Sequence, residues 1–369
     1  MKQKVLQLLL FVTTLVTTTL AGAEWQFGRF LGLEQHPLTW EYFWQGLWFS
    51  IPFLGFLTVH EFGHYFTARR HRVRVTLPYY IPLWLGFLYA PTIGTMGAVI
   101  RIKDVISTRQ KYFDIGIAGP LAGFVVALGV LFYGFTHLPP PEYIYEIHPE
   151  YEQYGSDYAQ YVYDQPESMY LGTTLLFEFF KEYVADAKRV PNPYELIHYP
   201  WLFAGFLSLF FTALNLIPIG QLDGGHILYG LIGYKNHRRV SALLFIIFIT
   251  YAGLGVVTPN MDTESLLWSV PLYLGFLYVT FSKLTPQPLT NLVVAISILS
   301  LQFLLLTAAP TMTGYPGWLL FGFLIGRVLG VYHPRALYDQ PLDPKRKILG
   351  WLALVIFVIS FSPSPFVME

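Results

Sequence analysis

The chain has 369 residues, of which 54% are hydrophobic, 18% aromatic and only 12% charged. That charged share is about half of what a soluble domain carries, which argues against a single soluble core. Net charge is zero and there is no cysteine, so nothing points to nucleic-acid binding, and disulfides, thiolate catalysis and Cys-rich zinc sites are removed.

The apolar residues gather in runs of membrane-spanning length, which predicts an all-α polytopic membrane protein. Spans are expected near 5–20, 46–68, 113–135, 201–219, 240–257, 266–281, 289–308, 315–331 and 348–363. The first follows Lys2 and Lys4 and ends at Ala21-Gly22-Ala23. That pattern also fits a cleaved signal peptide, but a retained helix is the preferred reading. Three segments follow: 1–45 with the first helix, 46–235 with the chemistry, and 236–369 with the remaining spans.

The second span holds His60-Glu61-Phe62-Gly63-His64. Residues four apart share one helix face, so both imidazoles can reach one metal, with Glu61 beside them to activate water. Charged and polar groups at that depth are costly unless paired or functional; the bland alternative pairs Glu61 with a histidine or with Arg69 or Arg70.

Residues 77–100, from Leu77 to Ile100, are apolar but broken by Pro78, Pro82, Pro91, Gly86, Gly94 and Gly97. Basic residues flank both ends, which predicts a re-entrant element rather than a span. Irregular backbone is tolerated there only beside a cavity or within the bundle. Thr95 to Ile100 reads as a short strand whose edge can pair with an extended peptide, or as part of a hairpin that only plugs the bundle.

Gly116-Ile117-Ala118-Gly119-Pro120-Leu121-Ala122-Gly123 opens the third span, and small residues there allow close helix contact. The loop 138–198 is the one large stretch outside the spans. It starts with Pro139-Pro140-Pro141 and has eight tyrosines from Tyr143 to Tyr170. Within it, 171–185 reads as an amphipathic helix for the membrane surface or as part of a cap over the bundle.

Two histidines leave a catalytic metal one protein ligand short. The span from Trp201 ends in Asn215-Leu216-Ile217-Pro218-Ile219-Gly220-Gln221-Leu222-Asp223-Gly224-Gly225-His226. Asp223, the one acid between residues 200 and 261, is the expected third ligand, and His226 is its rival. Asn215 offers a carboxamide to a substrate carbonyl or a developing oxyanion, or to a neighbouring helix.

Charge orients the set. Arg69 to Lys111 carries eight basic residues and one acid, whereas Leu138 to His198 carries eleven acids and three basic residues. Lys235, Arg238 and Arg239, and later Lys345-Arg346-Lys347, repeat the basic sign. These clusters and the N-terminus are expected on the cytoplasmic side of a bacterial inner membrane, with 138–198 and Glu369 opposite.

With these motifs in place, the chain resembles the site-2 protease family, intramembrane zinc metalloproteases of the M50 type. The matching pieces are His60 to His64, Gly116 to Gly123, and Asn215 to Gly225 with Leu222-Asp223-Gly224. The resemblance implies a three-helix metalloprotease core over roughly 46–230, with a membrane-embedded β-hairpin at 77–100 and additional C-terminal transmembrane helices. It implies Zn2+ held by His60, His64 and Asp223, Glu61 as general base, and Asn215 helping to hold substrate. It implies cleavage of membrane-spanning helices in single-pass proteins within the lipid bilayer. The loop 138–198 is too short for the PDZ domain of some relatives, so the PDZ-less branch, with bacterial and chloroplast members, is the nearer one. Two other readings stay in view: an inactive homologue that holds membrane helices, and a zinc-handling transporter. Self-association is left open.

Overall fold

The computed structural model describes residues 2–31, 37–163 and 169–368; Glu369 lies outside the described residues. The helices are α1 (Lys2–Phe27), α2 (Trp40–Gln45), α3 (Leu47–Arg70), α4 (Arg109–Thr136), α5 (Tyr143–Ile147), α6 (Tyr158–Val162), α7 (Leu175–Tyr183), α8 (Pro200–Leu216), α9 (Asp223–Ala252), α10 (Thr263–Phe281), α11 (Pro288–Ala308), α12 (Gly317–Phe323) and α13 (Pro344–Ser360). Four short strands complete the set: β1 (Tyr79–Pro82), β2 (Thr95–Val99), β3 (Met169–Leu171) and β4 (Phe366–Met368).

The protein is all-α in character, and α1, α4, α10 and α11 are long and apolar enough to cross a membrane. This is the composition of a multi-pass integral membrane protein. The helix over the expected span 46–68 forms as α3 but is not among those four. Its His60, Glu61 and His64 pull down the mean hydropathy on which such helices are recognised. At 17 residues α8 is a turn short of a full crossing, and α12 with the wider turn at Leu324–Leu329 is shorter still.

Packing divides the chain into two compact units: 1–106 with 118–214 and 355–369, and 107–117 with 215–354. In the first, the core is phenylalanine-rich, with Phe49, Phe53, Phe56, Phe135, Phe177, Phe203 and Phe206 buried. Ala21, Gly22 and Ala23 are buried too, and a β-carbon on Gly22 would meet the Gly46 carbonyl oxygen at 2.7 Å. The tripeptide that resembles a cleavage site thus packs closely against Gly46 and Phe49.

β1 and β2 form an antiparallel hairpin that pairs Tyr79 with Val99 and Tyr80 with Ala98. α1 binds it through side chains: Gln7 donates to the Leu77 carbonyl (2.7 Å), Thr17 to Gly94 (2.7 Å) and Trp25 to Thr92 (2.9 Å). Gly94 has φ +80° and lies against the α1 backbone at Thr17 and Thr18, where a side chain would collide. Gln7, Thr17 and Trp25 of α1 thus meet backbone carbonyls that would otherwise be buried without partners.

In the loop 138–198, α7 is capped by Thr174, whose hydroxyl accepts from the Phe177 amide (3.1 Å). Phe177 and Phe180 turn inward, and Leu175, Phe179 and Tyr183 stay exposed. β3 pairs antiparallel with β4, which fastens the chain's C-terminal stretch to this loop.

In the second unit, α9 is interrupted at Gly233 (φ +76°), a conformation only glycine adopts without strain. Arg109 fills the break: its Nε donates to the Gly230 carbonyl (3.0 Å) and its Nη1 lies 3.5 Å from Asp339. Arg109→Met removes both contacts from a buried place, a loss of about 2–4 kcal/mol. A clear fall in the thermal unfolding midpoint in detergent is expected; an unchanged midpoint would mean that the break needs no such support.

Candidate metal centre

α3 presents His60, Glu61 and His64 with 3%, 7% and 7% of their surface exposed. The four-residue spacing stacks the two histidines on one face, with Nε2 of each 3.1 Å apart. Glu61 follows His60 directly, and its Oε1 lies 4.0 Å from His60 Nε2. Its carboxylate therefore sits beside the imidazole pair.

The neighbouring glycines make this placement sterically feasible. A β-carbon on Gly63 would come within 2.6 Å of the Ala118 carbonyl oxygen. One on Gly119 would overlap His64 Nε2 itself, and one on Gly123 would crowd Phe56 (2.9 Å) and His60 (3.2 Å to Cβ). The glycine-rich start of α4, read from sequence as scaffold alone, thus forms the wall that the histidine rings lean on.

Asp223 is the first residue of α9, just after Leu222 in extended conformation. The turn that delivers it is tight. Gly220 has φ +62°, and side chains at Gly224 or Gly225 would run into the carbonyls of Leu216 and Gly220. Asp223 is half-buried. His60, His64 and Asp223 each offer one ligand atom, and these atoms lie within 4.8 Å of one another.

The rival histidine has other partners. His226 Nδ1 is 2.7 Å from His333 Nε2, and its ring stacks on Tyr112 (5.5 Å). A β-carbon at Gly116 would meet His226 Cβ at 2.6 Å. Asn215 lies in the last turn of α8, half-buried, and is not one of the grouped ligands.

Two imidazoles and a carboxylate are the donor types of a catalytic zinc site, which uses three protein ligands and leaves one position open. The donor set is of the right chemical type, so the residues fit the metal.

The sequence pattern described as Peptidase family M50 matches residues 48–254. That stretch holds all three grouped ligands, Glu61 and Asn215. Among curated proteins, the chain is 31% identical over 204 residues to "Probable zinc metalloprotease EGY2, chloroplastic" of Oryza sativa subsp. indica, covering 54% of this chain and 31% of that protein. It is 29% identical over 209 residues to "Probable zinc metalloprotease EGY1, chloroplastic" of Arabidopsis thaliana, covering 55% and 32%. It is 27% identical over 225 residues to "Probable zinc metallopeptidase EGY3, chloroplastic" of Arabidopsis thaliana, covering 59% and 34%. The match thus spans about a third of each relative's own length. No solved structure matches.

Gly119→Ala places a methyl group on the His64 ring. We expect metal content to fall well below one equivalent while the helical circular dichroism signal is kept. Full metal content in this variant would show that the ring has room the geometry denies it.

Proposed function

Because the chain belongs to peptidase family M50, we propose that it is a zinc-dependent intramembrane endopeptidase that cuts the membrane-spanning helices of single-pass proteins. The observation that carries this reading is the meeting of His60, His64 and Asp223, with Glu61 alongside. We assign the three grouped residues as metal ligands, Glu61 as general base and acid, and Asn215 as a substrate-holding group. Bound there, Zn2+ supplies a Lewis acid that polarises a peptide carbonyl and acidifies water.

The remaining steps belong to side chains. Glu61 takes a proton from the attacking water on its carboxylate and passes it to the leaving amide nitrogen. Burial of Glu61 and the two histidines keeps bulk water away, which strengthens each electrostatic contact. The Asn215 carboxamide donates to a substrate carbonyl.

We further assign α3, α4 and α8 as a three-helix metalloprotease core, with the β1–β2 hairpin dipping into the bundle. A substrate helix has its amides hydrogen-bonded and must unwind before attack. Its extended segment adds by main-chain hydrogen bonds to the edge of β2 that pairs with no strand among the described residues; the two-stranded pairing and the exposed Met96 and Val99 support this reading. The exposed apolar stripe Leu175, Phe179 and Tyr183 supports an α7 that lies on the membrane surface. The runs of basic residues support a cytoplasmic placement of the N-terminus.

Glu61→Gln keeps the size and removes the base. In purified protein we expect zinc content to hold and cleavage of a transmembrane peptide to fall by at least about 100-fold. Full cleavage by this variant would reject Glu61 as the base, and an inactive wild type that still holds zinc and the peptide would favour a helix-binding role.

A further inference from the structure

A second group of metal-ligand side chains lies in the loop 138–198, formed by His148, Glu195 and His198. His148 follows α5, and Glu195 and His198 lie three apart on a single turn at Pro193–His198. Asn192 caps that turn by accepting from the Tyr194 amide (3.1 Å). Glu195 and His198 are buried, and His148 is half-buried.

The tautomers are fixed by what surrounds each ring. His198 Nδ1 is 2.7 Å from the Gln26 carbonyl oxygen, which can only accept, so Nδ1 carries the hydrogen. His148 Nδ1 is 3.1 Å from Glu150 Oε1, so it too is the donor. Both Nε2 atoms therefore present lone pairs, and they face each other at 3.4 Å. Two lone pairs so close repel unless a cation or proton lies between them.

The third donor is ready as well. Glu195 Oε1 accepts from the Tyr163 hydroxyl (2.5 Å). Oε2 makes no hydrogen bond among the described residues and lies 3.6 Å from His198 Nε2. In a tetrahedral zinc site, bonds of about 2.0–2.1 Å put neighbouring ligand atoms roughly 3.3 Å apart. The observed 3.4 and 3.6 Å match that spacing.

We propose that His148, Glu195 and His198 form a second, structural metal site for Zn2+ or a similar first-row divalent cation, separate from the His60, His64 and Asp223 cluster. Imidazole with one carboxylate suits such ions and not Ca2+ or Mg2+. Each donor has its outer partner: Glu150 and the Gln26 carbonyl orient the rings, and Tyr163 orients the carboxylate. Water fills the fourth position from the half-open side of His148. The ion clasps the loop to the C-terminal end of α1, because the Gln26 carbonyl that orients His198 belongs to that helix. The site stands whether or not the protein is a peptidase.

The test uses the full chain in detergent, stripped with a chelator and reloaded with Co2+, with stoichiometry and ligand-field absorption as readouts. We expect two equivalents in the unaltered protein, one in His64→Ala, and one in either His148→Gln or Glu195→Gln. His64→Ala combined with Glu195→Gln should bind none. Glu195→Gln keeps the Tyr163 contact, and His148 is half-exposed, so each has its own route to a folded protein; circular dichroism checks this. Metal content that is no lower in His148→Gln and Glu195→Gln than in the unaltered protein overturns the proposal, and so does a His64→Ala protein that binds none. So does a second equivalent that persists in both loop variants, which would place it elsewhere.

Discussion

A carboxylate and two imidazoles in a low-dielectric interior impose the constraint on which the rest depends. Each group is expensive to bury alone, and the cost is recovered only if all three can share one cation. The two histidines are easy to supply, since four-residue spacing on a helix brings them together at 3.1 Å. The carboxylate is harder. It comes from a different helix, and Asp223 stands at a helix start, behind a turn too tight for side chains at Gly224 and Gly225.

Close approach then becomes a requirement on backbone as well as on ligands. Gly63 and Ala118 touch, Gly119 yields its place to the His64 ring, and Gly123 does the same for His60 and Phe56. The polar groups of α1 play a related part. Three of them give partners to carbonyls at Leu77, Thr92 and Gly94, which helps hold irregular chain beside the helices.

Much of the site was legible because its signals are local. His60, Glu61 and His64 lie within one turn and a half, and Asp223 stands alone as an acid in a long apolar stretch. Helices were legible from apolar runs, and the departure from helix over 77–100 from prolines and glycines that a helix would not tolerate, whereas a hairpin there was expected only from the family resemblance. Contacts between distant segments were not. Nothing in Met169–Leu171 or Phe366–Met368 signals that they pair, because short strands of ordinary residues find partners through tertiary packing. The interruption of α9 at Gly233 is contacted by Arg109, more than a hundred residues earlier. His148 is separated from Glu195 and His198 by a tyrosine-rich stretch, so no spacing pattern joins them. The wall formed by Gly119 was visible as a small-residue motif, but which ring it faces required the fold.

The most direct measurement is an anomalous difference map collected at the zinc edge on the unaltered protein. The account predicts a strong peak at about 2.0–2.2 Å from His60 Nε2, His64 Nε2 and one Asp223 oxygen. A map with zinc bound elsewhere and none among these three residues would contradict it, as would a peak on the histidines with Asp223 out of coordinating reach.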